Sequence, residues 1–140
     1  QNWHQIVDAL SQHFPNPSED YLVHGDFDPS NILVDCVDQR WSVTGILDWE
    51  FAHSGSPLQD MANMLRYQDK VSKDFRKGFI QGVQHQISLP DHWETTVDLC
   101  NVLGLLDCLA HRVEVKSHPN RYHDVTDLLS HLYIKLQRRC

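Results

Sequence analysis

Every β-prone run of this chain lies before residue 55, and everything after it carries helical periodicity alone. Tyr21 to His24 and Ile32 to Val34 are short and apolar, and a third such run covers Trp41 to Leu47. The polar stretch from Asp35 to Arg40 separates the last two and reads as a hairpin connection. Strands gathered first and helices gathered after them define an α+β chain, mostly helical, rather than an alternating one. At 140 residues, a single domain over 1–140 is expected.

The helices follow from spacing and punctuation. Trp3, Ile6, Val7, Leu10 and Phe14 recur at helical intervals, which predicts an amphipathic helix over 2–14, ended by Pro15 and Pro17. Ser56-Pro57 is a start signal, Ser as N-cap and Pro at the first helical position. Leu58, Met61, Ala62 and Leu65 supply the apolar stripe behind it. Phe75, Phe79 and Val83 mark a further helix. Asp91 and Glu94 have capping-box spacing and open a long helix from Trp93 towards Val113. Pro119-Asn120 is expected to be a break, and Val125, Leu128, Leu129, Leu132 and Leu136 form the last stripe.

Charge and cysteine usage exclude several classes. Twelve basic against nineteen acidic residues give −7, which argues against a nucleic-acid partner. The one dense basic run, Lys135, Arg138 and Arg139, reads as a solvated helix end. Cys36, Cys100, Cys108 and Cys140 form no CxxC pair, so free thiols in a reducing compartment are expected. No apolar stretch reaches the roughly 18 residues that span a bilayer. No membrane partner and a cytoplasmic location are therefore expected.

The polar residues around the hairpin are the chemical feature. His24-Gly25-Asp26-Phe27-Asp28-Pro29-Ser30-Asn31 leads into the second β-run, and the third returns to Asp48-Trp49-Glu50. Both ends of a hairpin then lie at one rim with Asp26, Asn31 and Asp48. A carboxylate and an amide oxygen are hard ligands suited to Mg²⁺, which takes its other oxygens from water and phosphates. A second carboxylate, free of metal, can orient a hydroxyl and accept its proton. Those are the parts that phosphoryl transfer from a nucleotide needs. Asp28, before Pro29, reads as a turn stabiliser, Trp49 as core and His53 as a solvated histidine. His118 and His123 lack the ligand frame of a zinc site. Asp98, Asp107 and Glu114 could line a cationic acceptor site, but a solvated helix face accounts for them more simply.

These motifs, followed by Ser56-Pro57-Leu58-Gln59-Asp60, resemble the aminoglycoside phosphotransferase and choline kinase family over residues 21–65. The resemblance implies the C-terminal lobe of a protein-kinase-like fold, with a small β-hairpin carrying the catalytic loop. It implies Asp26 as catalytic base and Asn31 and Asp48 as Mg²⁺ ligands beneath the phosphates of ATP or GTP. His24 would brace the loop and Asp60 would tie the following helix to it. Glu50 would contact metal or acceptor, or lie on the surface. The partner implied is a small-molecule hydroxyl acceptor, and the acidic balance favours a cationic one.

A kinase of this kind also needs a glycine-rich loop and a strand lysine upstream of the catalytic loop. Only 23 residues precede His24, with neither glycine nor lysine among them. The chain is therefore expected to correspond to a C-terminal lobe without its N-terminal nucleotide-covering lobe. Gln1 in place of Met favours a truncated small-molecule kinase, inactive alone. A natural half-protein, a non-catalytic metal- or ligand-binding pseudokinase half and a Mg²⁺-dependent hydrolase are the alternatives. The face that the missing lobe leaves uncovered is expected to support a homodimer.

Overall fold

The computed structural model describes residues 2–67, 70–111 and 119–140. Its elements run α1 (Trp3–Ala9), β1 (Tyr21–Val23), β2 (Ile32–Val37), β3 (Arg40–Ile46), β4 (His53–Gly55), α2 (Pro57–Leu65), α3 (Lys73–Gln84), α4 (Trp93–His111) and α5 (Pro119–Gln137), with single 3₁₀ turns at Ser11–His13, Pro29–Asn31 and Trp49–Phe51. It is an α+β fold with two small antiparallel sheets, β1 with β4 and β2 with β3. The chain divides into two compact units: residues up to Phe14 together with His92–Cys140, and Pro15–Asp91.

The first unit is helical. Ile6, Leu10, Leu99, Val102, Leu105, Val125, Leu129 and Leu136 form its core, with Leu128 and Leu132 packed against it. Trp3 meets Tyr133 edge to face at 5.1 Å between centroids, which ties α1 to α5. The Thr96 hydroxyl donates to the His13 carbonyl at 2.7 Å. The predicted helix over 2–14 stops at Ala9, and a 3₁₀ turn carries the chain to Phe14. Ser11 explains the early end: its hydroxyl donates to the Asp8 carbonyl, an alternative to continued helix.

Two other expectations shift. Asp91 stands one residue too early to cap α4, which begins at Trp93, and the His92 carbonyl accepts from Thr95 and Thr96 instead. Pro119 opens α5 rather than standing in a break, because a first helical position does not use the missing N–H. Val113, Glu114 and His118 lie outside the described residues.

The acidic residues of α4 are not all on a solvated face. Asp98 is buried, 2.8 Å from Lys135 Nζ and 3.3 Å from Arg139 Nη1, and Arg139 also donates to the Thr95 hydroxyl. Lys135 of α5 and Arg139 just beyond it thus anchor this end of the chain to α4 rather than forming a free basic end. Burial pushes the Asp98 carboxyl above its ordinary range, opposed by the Lys135 hydrogen bond and by the charges of Lys135 and Arg139.

In the second unit, α2 behaves as its sequence dictates. The Ser56 hydroxyl accepts from the Leu58 N–H, Pro57 takes the first position, and Leu58, Met61, Ala62 and Leu65 are buried along with Met64. At α3 the Ser72 side chain accepts from the Phe75 N–H, but no residue of α3 is buried. The β2–β3 connection is tighter than the polar stretch suggested. Only Asp38 and Gln39 turn, both at positive φ, and Asp35 to Val37 and Arg40 join the ladder. Such two-residue turns match the natural twist of paired strands.

Candidate active site

The rim is built at the C-terminal end of β1. Val23 is fully buried and His24 is 2% exposed, so β1 pins the loop that follows it. Gly25 has φ +84, and a Cβ there would lie 2.5 Å from the Phe51 carbonyl oxygen. Glycine is required at this position on both counts. The sharp turn it permits brings Asp26 out of the strand line.

His24 bridges the two halves of the rim. Its Nε2 lies 2.7 Å from the Leu47 carbonyl, and its Nδ1 accepts from the Asp26 N–H at 3.2 Å. A carbonyl can only accept and an amide N–H can only donate, so the proton sits on Nε2. One ring thereby contacts the residue before Asp48 and the backbone of Asp26. Trp49 packs over it, with centroids 4.5 Å apart, and donates from its indole to the Ile46 carbonyl. Trp49 is 44% exposed, so it shields this histidine and is not core.

Asp60, from the first turn of α2, reaches back to the loop. Its Oδ2 accepts from the His24 N–H at 2.8 Å and its Oδ1 from the Gly25 N–H at 3.0 Å. Three residues on, Asn63 Nδ2 donates to the Gly25 carbonyl at 2.9 Å. The Pro29–Asn31 turn closes the loop. Asp28 caps it, accepting from the Ser30 N–H and hydroxyl, which makes it a turn residue as its place before Pro29 suggested.

Asn31 and Asp48 lie where the hairpin leaves and rejoins this loop. Asn31 Nδ2 donates to the Asp26 carbonyl at 2.9 Å, and the Asn31 carbonyl accepts from the Leu47 N–H at 2.8 Å. With its nitrogen so engaged, the Asn31 side chain offers its oxygen. Asp48 is exposed in left-handed backbone (φ 66), and its side chain caps nothing. An amide oxygen and a carboxylate fit Mg²⁺, which binds through few protein oxygens and keeps water or phosphate. Among the described residues, no three His, Cys, Asp or Glu side chains are gathered to hold a metal by themselves.

Hydrogen bonds thus draw together His24, Gly25, Asp26, Asn31, Leu47, Asp60 and Asn63. Glu50 is exposed in the turn after Asp48. His53 is exposed but held by the Phe51 carbonyl and Gln59. Sequence reasoning missed Asn63. Its signal was available, because Asp60 and Asn63 at i, i+3 share one helix face.

The chain belongs to the phosphotransferase enzyme family, whose model matches residues 1–96 and so covers this loop, the hairpin and the returning helix. The aminoglycoside phosphotransferase and choline kinase resemblance holds, and the match extends past 21–65 into flanking helices that carried no motif. Among curated proteins the chain is similar to acyl-CoA dehydrogenase family member 11. The Gallus gallus protein is 42% identical over 48 residues, covering 34% of this chain and 6% of that protein. The Pongo abelii and Homo sapiens proteins are each 38% identical over 60 residues, 42% of this chain and 7% of theirs. The matches thus span less than a tenth of these relatives' length. No solved structure matches the chain. No helix of the described residues is long and apolar enough to cross a membrane.

Proposed function

We propose that this chain is the C-terminal lobe of a phosphotransferase that moves the γ-phosphate of ATP or GTP to a hydroxyl of a small molecule. The observation that carries this reading is the Asp26–Asn31 bond. By donating its nitrogen to the Asp26 carbonyl, Asn31 keeps its side-chain oxygen as the atom it can offer at the rim that Asp48 shares. Asn31 and Asp48 would hold Mg²⁺, which neutralises charge on the transferring phosphate. Asp26, at a fixed backbone position, accepts the proton of the attacking hydroxyl. His24 keeps the two sides in register through Leu47 and Asp26, and Asp60 fastens the loop to α2. Glu50 stands one residue beyond Trp49 and is the position we assign to metal or acceptor contact.

The hairpin is the surface on which a nucleotide-covering lobe belongs, and without such a lobe the 140-residue chain is expected to be inactive. The test is phosphate transfer from labelled ATP to a panel of small alcohols by a polypeptide that joins this chain to such a lobe. Asp26→Ala is expected to cut turnover by at least a hundredfold with little change in nucleotide affinity. Undiminished turnover would remove Asp26 from the mechanism, and vigorous turnover by the 140 residues alone would refute the half-unit reading.

A further inference from the structure

We propose that Asn63 is a positioning residue that, with the His24 ring, clamps the single peptide plane leading into Asp26. The inference rests on the phosphotransferase reading for its kinetic consequence and on geometry alone for the clamp.

The Gly25 carbonyl and the Asp26 N–H belong to one planar unit. The N–H end donates to His24 Nδ1 at 3.2 Å, and the carbonyl end accepts from Asn63 Nδ2 at 2.9 Å. A planar group held at both ends cannot rock about its long axis, and with the Asp26 carbonyl on the following plane held by Asn31 Nδ2, the direction in which the Asp26 side chain leaves the backbone is set. Gly25 makes this clamp necessary. At φ +84, and without a Cβ, it is the residue of the loop with the widest backbone freedom. Asp60 fixes the plane before it, through the Gly25 N–H, but leaves the plane after it untouched.

The orientation of the Asn63 amide is itself determined. Its Oδ1 accepts from the Arg66 guanidinium, which can only donate, while its Nδ2 faces a carbonyl, which can only accept. Exchanging the two atoms would leave both contacts repulsive. Asp60, Asn63 and Arg66 therefore form a row at i, i+3 spacing along α2. Through it the helix reads out its own register to the loop.

Asn63→Asp keeps the shape and the Arg66 contact but sets an oxygen against the Gly25 carbonyl. Asn63→Leu keeps the volume and removes both bonds, which separates lost positioning from added charge. Amide hydrogen exchange on the 140-residue chain is expected to show the Asp26 N–H exchanging about tenfold faster in both variants. The Met61 and Met64 amides of the same helix should keep their rates. In the active longer polypeptide, both variants should lower kcat about tenfold and leave the KM for ATP within twofold.

An unchanged Asp26 rate, a uniform acceleration through residues 15–91, or a change in the aspartate variant alone would each overturn the clamp. So would a raised KM for ATP at unchanged kcat. If the wild-type polypeptide transfers no phosphate, the functional reading fails by itself, and the exchange rates still decide the clamp.

Discussion

Asp60→Asn isolates what holds the loop to α2. The wild-type carboxylate receives two backbone N–H groups, from His24 at 2.8 Å and Gly25 at 3.0 Å, in a partly buried setting. Asparagine is nearly the same size, so packing is not disturbed. Its oxygen can accept from one of the two donors, but its nitrogen then faces the other. The change weakens one charge-assisted bond to a neutral one and replaces the second by an unpaired donor. Bonds to charged groups contribute about 1.5–3 kcal/mol and neutral ones about 1 kcal/mol. Asp60 also sits in the first turn of α2, where a negative charge adds about 0.3–1 kcal/mol. Because water reaches part of this contact, the expected total is about 2–4 kcal/mol. With a mid-range urea slope of about 2 kcal/mol per molar, the midpoint should fall by roughly 1–2 M. The transition is best followed on amide resonances of residues 15–91, so that unfolding around α4 and α5 is not counted. The His24 and Gly25 amide signals should also move upfield as their bonds lengthen. A loss below about 0.5 kcal/mol, with those two signals unmoved, would refute the hydrogen-bond account.

Three further outcomes follow from the packing. Burial raises the Asp98 carboxyl above its unfolded value of 3.8, so the folded state holds that proton more tightly. Its titration therefore favours folding below pH 3.8 and loses that contribution as pH climbs through the raised value. Urea curves at several pH values should show the wild type's standing relative to Asp98→Asn declining over that rise, and a rising difference would mean that the folded state does not hold the Asp98 proton more tightly. Cys100 is pushed up to about 12 by burial, whereas Cys36 and Cys140 are exposed. Iodoacetamide at pH 8 should mark the latter two and spare Cys100 in mass spectra, and equal labelling would contradict its burial. Finally, Trp41, Val43 and Val37 are 74%, 62% and 60% exposed on the β2–β3 hairpin. Light scattering on the 140-residue chain should report a dimer that Trp41→Lys weakens, and a strict monomer at high concentration would count against it.

The parts of this fold that were legible in the sequence are those whose signals act locally. Ser56-Pro57 announces α2 because capping and a missing N–H are properties of two adjacent residues. The Leu58, Met61, Ala62 and Leu65 stripe works because one helix face must bury itself. The candidate site residues were legible as a pattern, since loop, hairpin and return force Asp26, Asn31 and Asp48 into fixed chain positions. What was not legible depends on partners distant in sequence. Asp98 looked solvated because Lys135 and Arg139, which meet it, lie 37 and 41 residues further on. Trp49 reads as core because nothing local announces a histidine ring beneath it, which the residue after β1 supplies. The hairpin turn is narrower than the sequence suggests because polar Asp35 resembles a loop residue yet pairs with Ser42 in the ladder. On a ribbon exposed along both strands, however, a polar residue has no burial penalty to avoid.

Asn63 lies between these two cases and shows what α2 must supply to a loop residue 38 positions earlier in sequence. A helix that must hold both the N–H and the carbonyl of Gly25 has to present an acceptor and, one turn later, a donor. Asp at 60 and Asn at 63 meet that demand with a single turn of rise, about 4.5 Å between their Cα positions along the axis. Exchanging the two residue types would put a donor against the N–H and a carboxylate against the carbonyl. The order Asp then Asn is thus fixed by the direction in which the backbone runs from β1 into Asp26. The double variant Asp60→Asn/Asn63→Asp, which keeps composition and net charge, should lose at least as much stability as Asp60→Asn alone. Recovery to wild-type stability in that exchange would show that only the charge count on α2 matters, and not the polarity of the peptide it holds.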